Sequence, residues 1–181
     1  MNSRFVIIPL LVLSLTLVAS PVWAKGWYLG GEFQLTSLGD SIVEDIETGY
    51  GFALDFGYRL SPKLALDFLW GVSFHNEGSN DIEYMRFLGG GKLILCEPEP
   101  WQCYLTLGLE SHLIFRNILN DIDGSGYYVG LGGDYYLSEK ASLDIRLTHS
   151  MWTGEEDFTS TSEDLTTDTL SVSYKYYFAR Y

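Results

Sequence analysis

The stretch Tyr50-Gly51-Phe52-Ala53-Leu54-Asp55-Phe56-Gly57-Tyr58-Arg59-Leu60 decides the fold. Every second residue from Tyr50 to Leu60 is large and apolar or aromatic, whereas the residues between them are small or charged. Side chains alternate across an extended chain, so this period of two describes a strand with one greasy face and one that is not. Leu64–Phe74 repeats the pattern: Leu64, Leu66, Phe68, Trp70, Val72 and Phe74 oppose Ala65, Asp67, Leu69, Gly71 and Ser73. Outward from this pair, the same reading covers Trp27–Leu35, Leu105–Phe115, Tyr127–Leu137, Leu143–Met151 and Leu170–Phe178. The weakest segment is Tyr84–Leu95, where Met85, Phe87, Leu93 and Leu95 share a face with Gly89 and Gly91, while Arg86 and Lys92 lie opposite. The Gly89-Gly90-Gly91 run fits strand curvature or close packing. The sequence predicts eight strands.

The connections alternate in length. Ser61-Pro62-Lys63 and Ser138-Glu139-Lys140 are short links, and Cys96 to Cys103 spans the turn after the fourth strand. Longer polar stretches, roughly 36–48, 75–81, 116–125 and 153–168, follow the odd-numbered strands. Short turns on one side, long loops on the other and an even strand number are the marks of a transmembrane barrel. A soluble barrel would turn its apolar face inward, but an eight-strand interior is only wide enough for side chains to fill. It has no room for Phe56, Phe68, Trp70, Tyr174, Tyr176 and the rest of the greasy face. The expectation is an all-β, eight-stranded antiparallel up-and-down transmembrane barrel. Its lumen receives the acids Glu32, Asp55, Asp67, Glu110, Asp134 and Asp144 and the bases Arg59, Arg86, Lys92, Arg146 and Lys175, with His112 beside Glu110. An unpaired buried charge is costly, so these groups read as a paired network that plugs the lumen together with Tyr84, Tyr104, Tyr128, Tyr136 and Tyr177.

Composition excludes several function classes. The 181 residues carry 24 acids against 11 bases, a formal charge of −13, which argues against nucleic-acid binding. With 15% aromatic and only 19% charged residues, the chain is not a disordered acidic tail. Residues 1–24 have the layout of a secretory signal: Arg4, an apolar run from Phe5 to Ala19, then Val22-Trp23-Ala24 with small residues at the −3 and −1 positions. Its removal leaves one barrel domain, residues 25–181. The periplasm is oxidising, so Cys96 and Cys103, at the two ends of one hairpin turn, are expected to bridge.

Three parts of the chain resemble a known family. Gly26-Trp27-Tyr28-Leu29-Gly30-Gly31 is similar to the first strand of the small outer-membrane β-barrels related to the OmpA transmembrane domain and OmpX. Gly130–Ser138 followed by Ser142–Arg146 resembles that family's sixth and seventh strands. Val172–Phe178 looks like the C-terminal signal read by the barrel-assembly machinery, carried by Tyr174, Tyr176 and Phe178, with Tyr181 as the terminal aromatic. The resemblance implies a monomer in the outer membrane of a Gram-negative bacterium, surrounded by lipid and lipopolysaccharide. An internal echo also exists: Tyr58, Leu60, Ser61, Lys63, Leu66 and Asp67 recur 77 residues later as Tyr135, Leu137, Ser138, Lys140, Leu143 and Asp144. Two hairpins reusing one turn solution account for it more simply than duplication, and both turns then lie on one side.

Three function classes stay open: an envelope structural or surface-interaction protein, a narrow pore, and a lipid A-modifying enzyme. The best catalytic candidate is His149-Ser150, and neighbouring strand residues point to opposite faces, so the two cannot pair without a bulge. No catalytic set and no bound organic cofactor is expected. The four polar stretches hold 14 acids and one base, Arg116. Carboxylate oxygens suit calcium and magnesium, so Glu155, Glu156 and Asp157 form a candidate loop cation site through which the rim would meet lipopolysaccharide phosphates.

Overall fold

A computed structural model describes residues 26–39, 47–77, 80–96, 100–116, 121–156 and 162–178. The candidate leader, Asp157 and Tyr181 lie outside the described residues. Eight strands follow in order: β1 Gly26–Gly39, β2 Gly49–Ser61, β3 Leu64–Glu77, β4 Asn80–Cys96, β5 Trp101–Arg116, β6 Ile122–Ser138, β7 Ala141–Glu156 and β8 Ser162–Tyr177. Each pairs antiparallel with its sequence neighbours, and β1 pairs with β8 from Tyr28↔Tyr177 to Gly39↔Thr166, which closes the barrel. Closure removes every strand edge, the condition for carrying strands through hydrocarbon.

The two faces separate as the alternation requires. Phe52 and Leu131 on the outer face are 61% and 59% exposed, whereas Asp55, Lys175 and Asp144 on the inner face are wholly buried. The inner turns also follow the echo. Ser61 Oγ accepts the Lys63 backbone N–H and Ser138 Oγ accepts that of Lys140, both at 3.3 Å. The carbonyls of Lys63 and Lys140 then accept from Ile94 and Tyr177 in the next strand. Register shifts at Arg59/Ser61, Ile94/Cys96 and Tyr136/Ser138 put a bulge before each of these turns. Cys96 and Cys103 are cross-strand partners joined by a disulfide, with Cα atoms 5.1 Å apart.

The outer end differs from the sequence expectation. Strands continue into all four stretches assigned to loops, and β3 and β4 stay paired through His75↔Ile82, Asn76↔Asp81 and Glu77↔Asn80. His75, placed in a loop by sequence, is an inward-facing strand residue, as is Trp152. The physical reason is a reversal of polarity. Along most of β4, Met85 and Phe87 face out and Arg86 faces in; beyond them Asp81 and Glu83 face out while Ile82 and Tyr84 face in. Strand β8 reverses in the same way, with Asp164 out and Leu165 in. A strand leaving the membrane for water exchanges its greasy and polar faces, and a search for one continuous greasy stripe stops at that exchange.

Inward glycines admit the large lumen side chains. A Cβ at Gly57 would overlap the Tyr28 ring, one at Gly132 would overlap the Tyr104 hydroxyl, and one at Gly90 would come within 2.5 Å of the Tyr128 hydroxyl. Each tyrosine lies across a glycine of a nearby strand, so these glycines answer a close approach. Outward Gly31 has nothing within 4 Å of an added Cβ. Gly132→Ala is therefore expected to destabilise the barrel by about 1–3 kcal/mol. Gly31→Ala should stay within about 0.5 kcal/mol of the parent. Urea titration followed by heat-modifiable gel migration measures both; equal midpoints would refute the packing account.

Candidate functional site

The lumen is where the chain concentrates its buried chemistry. At its centre, Arg146 on β7 donates to Glu32 Oε2 on β1 at 2.5 Å and lies 3.5 Å from Asp67 and 3.8 Å from Asp55. Lys175 on β8 ion-pairs with Asp144 at 3.1 Å, Asp55 at 3.2 Å and Asp134 at 3.6 Å, held by charge rather than by an aligned hydrogen bond. Lys92 on β4 meets Asp67 at 3.3 Å, and its ammonium lies 4.0 Å from the centre of the Tyr104 ring. The Tyr104 hydroxyl donates to Asp144 at 2.5 Å. Arg86 donates to Gln34 at 2.7 Å and to Thr169 at 2.9 Å, and lies 3.9 Å from Glu32.

A second group sits toward the outer end. His112 is 3.1 Å from Glu110, which accepts from Ser150 at 2.8 Å. The other ring nitrogen of His112 hydrogen-bonds the Tyr84 hydroxyl, and the imidazole stacks on Trp152 at 4.3 Å. Above it, Leu38, Ile82, Tyr84, Ile114, Ile122, Trp152 and Leu165 form a buried apolar cluster inside the barrel. His75 adjoins this layer: one ring nitrogen bonds Ser73 Oγ at 2.8 Å and the other the Glu47 carbonyl at 3.0 Å.

Eleven of the twelve residues expected in the charge network are buried on the inner face. Arg59 is the exception. It is half-buried at the turn end, where it donates to the Pro62 carbonyl at 2.6 Å and to Gln102 at 3.2 Å, because it is the last inward position of β2 before the register shift that begins the turn. Tyr136 is at the same mouth and donates to Gln102 at 2.5 Å. Sequence reasoning missed Gln34, Gln102, Thr169 and Ser150, neutral groups that complete the hydrogen bonding, and the apolar layer apart from Tyr84. The sign of that layer is a single apolar residue between polar neighbours, as at Ile82 and Leu165.

The other candidates are spread out. Ser150 faces inward to Glu110, whereas His149 faces outward and bonds Asp168 Oδ1 at 2.7 Å, so the two form no catalytic pair. Glu155 and Glu156 are the last two residues of β7 rather than loop residues. Among the described residues no group of three His, Cys, Asp or Glu side chains is gathered to hold a metal ion. Tyr174, Tyr176 and Phe178 all face outward, and the Phe178 backbone N–H donates to the Trp27 carbonyl across the closing seam.

A closed barrel with a lipid-exposed apolar belt, whose charges at the level of that belt turn into the lumen, is an outer-membrane protein. The chain belongs to the outer membrane protein beta-barrel domain family, whose profile matches residues 8–178. Its place is accordingly the outer membrane of a Gram-negative bacterium. Among solved structures it is similar to Neisserial surface protein A, at 14% identity and a TM-score of 0.62, covering 83% of this chain and 96% of that one. It is also similar to OprG from Pseudomonas aeruginosa (14% identity, TM-score 0.58, 89% and 99% covered). A third is Ail, the attachment invasion locus protein of Yersinia pestis (13%, 0.54, 87% and 100%). No curated protein matches the chain by sequence.

Removing one partner from a buried ion pair leaves the others uncompensated. Arg146→Met should therefore cost about 3–5 kcal/mol of stability. The urea midpoint of the folded band in detergent reads this out, and an unchanged midpoint would show that Glu32, Asp55 and Asp67 do not depend on the guanidinium.

Proposed function

We propose that the protein is a structural or surface-interaction barrel whose lumen does not conduct. The observation that carries this reading is the two-layer filling of the lumen, ion pairs below and the apolar layer above. A hydrophobic constriction excludes ions by dewetting even where side chains leave a gap. A narrow channel is the second reading, favoured by Asp55 and Asp67, whose buried oxygens meet charges but no aligned donor and are groups that bind water in a hydrated lumen. In planar bilayers the unaltered protein is expected to show no stable large-conductance state, and Trp152→Ala, which breaches the apolar layer, to raise the frequency of openings. A steady open state in the parent would overturn the first reading.

The surface role is proposed to involve lipopolysaccharide phosphates met through shared calcium or magnesium. Exposed Asp81, Glu83, Asp123, Glu155, Asp164 and Asp168 support it, since all project from strands above the belt. Asp123 and Glu155 are direct cross-strand partners. Like charges so placed repel, and a divalent cation relieves the repulsion. Calcium should raise the unfolding temperature of the detergent-solubilised protein, and a variant with Glu155→Gln, Glu156→Gln and Asp157→Asn should lose most of that response. An identical response in both would reject this position, and none in either the cation bridge. Monomeric insertion by the barrel-assembly machinery through Tyr174, Tyr176, Phe178 and Tyr181 belongs to the same proposal.

A further inference from the structure

Gly133 lacks the packing reason that explains Gly57, Gly90 and Gly132. It is an outward position of β6 between exposed Leu131 and Tyr135, and the one atom near an added Cβ is the Gln102 carbonyl oxygen at 3.3 Å. The missing side chain opens a groove of about 490 Å³ in the lipid-facing surface, walled by Trp101, Leu131, Tyr135, Leu143 and Ile145. Trp101 and Tyr135 pack with ring centres 4.8 Å apart. The groove lies in the half of the belt nearest the inner turns, since Leu143 is the third residue of β7 after the β6–β7 turn. Lys140 lies three positions before Leu143, about 10 Å at roughly 3.4 Å per strand residue.

That turn carries a base and an acid side by side, Lys140 and Glu139, both exposed. The equivalent turn at Ser61-Pro62-Lys63 has the base alone. An apolar slot at hydrocarbon depth with an adjacent positive and negative group at its mouth matches a lipid with one phosphate and one amine. A purely anionic lipid would satisfy Lys140 and be repelled by Glu139.

We propose that this groove is a binding site for a periplasmic-leaflet phospholipid with a phosphoethanolamine headgroup. One acyl chain lies over Gly133, the phosphate meets the Lys140 ammonium, and the amine meets the Glu139 carboxylate. The site is independent of whether the lumen conducts, because it faces away from it.

The test reconstitutes the protein in vesicles of equal parts phosphatidylethanolamine and phosphatidylglycerol, extracts it in mild detergent and weighs it by native mass spectrometry. One phosphatidylethanolamine should remain bound per barrel, in preference to phosphatidylglycerol. Gly133→Leu fills the slot and should lower that occupancy about tenfold, the change that ~1.4 kcal/mol produces. If Gly133→Leu gives no folded band, Leu131→Trp narrows the groove from its wall and carries the same expectation. The double variant Glu139→Gln, Lys140→Gln should keep a bound lipid and lose the headgroup preference. Equal occupancy in the parent and the groove-filling variant would overturn the site. Preferred retention of phosphatidylglycerol by the parent, or an unchanged preference in the turn variant, would overturn the headgroup assignment.

Discussion

Hydrocarbon offers no partner to a backbone N–H or C=O, and most of this structure follows from that constraint. Each strand must give all its hydrogen bonds to its two neighbours, so the last strand must find the first. The β1–β8 seam does this over twelve cross-strand pairs, from Tyr28↔Tyr177 to Gly39↔Thr166. Closure with eight strands fixes a narrow lumen, and a narrow lumen forces its side chains into contact. The greasy outer face, the crowded charges and the inward glycines are successive consequences of one ring of backbone pairing.

The lumen network works as a check on register. Arg146 and Glu32 are 114 residues apart, and Lys175 reaches acids on β2, β6 and β7. A slip of one residue in any strand would send its buried charges to the lipid face and its belt residues into the lumen. Replacing such pairs with apolar groups could leave stability unchanged or raise it. What the charges contribute is discrimination, since every odd slip of a strand drives charge into hydrocarbon and every even one separates the ion pairs. The tyrosines seated over Gly57, Gly90 and Gly132 act alike, because a large group and a gap must face each other across strands.

The part of the fold in contact with lipid was legible in the sequence because lipid imposes the same requirement on every second residue. Tyr50–Leu60 and Leu64–Phe74 state that requirement without interruption, and the inner-face charges follow by alternation. Individual partners could not be read, since nothing in a strand's own sequence says that Arg146 lies nearer Glu32 than Asp134. Arg59 keeps its inward phase to the last regular pair of β2, with Ala65, and alternation alone did not show that this pair sits at the mouth. The outer end was misread for a different reason. Ile82 and Leu165 obey the same alternation in the opposite sense, and their isolation among acids and hydroxyls resembles a loop when the solvent outside is taken to be lipid throughout.

The exchange of faces along β8 sets a height. Leu170 is the outermost apolar residue of that strand's lipid face, and pairing continues eight residues further, to Ser162. At roughly 3.4 Å per residue and a tilt near 45°, that carries the paired end of β8 about 19 Å beyond Leu170, as a stalk. Its interior is packed by Leu38, Ile114, Trp152 and Leu165 as a small water-soluble barrel would be. The raised part belongs to β7 and β8, since on β2 and β5 the outward Tyr50 and Phe115 keep an apolar side chain almost at the strand end. Glu155 and Asp164 are thus presented on paired backbone, and whatever meets them from outside meets them at a fixed elevation.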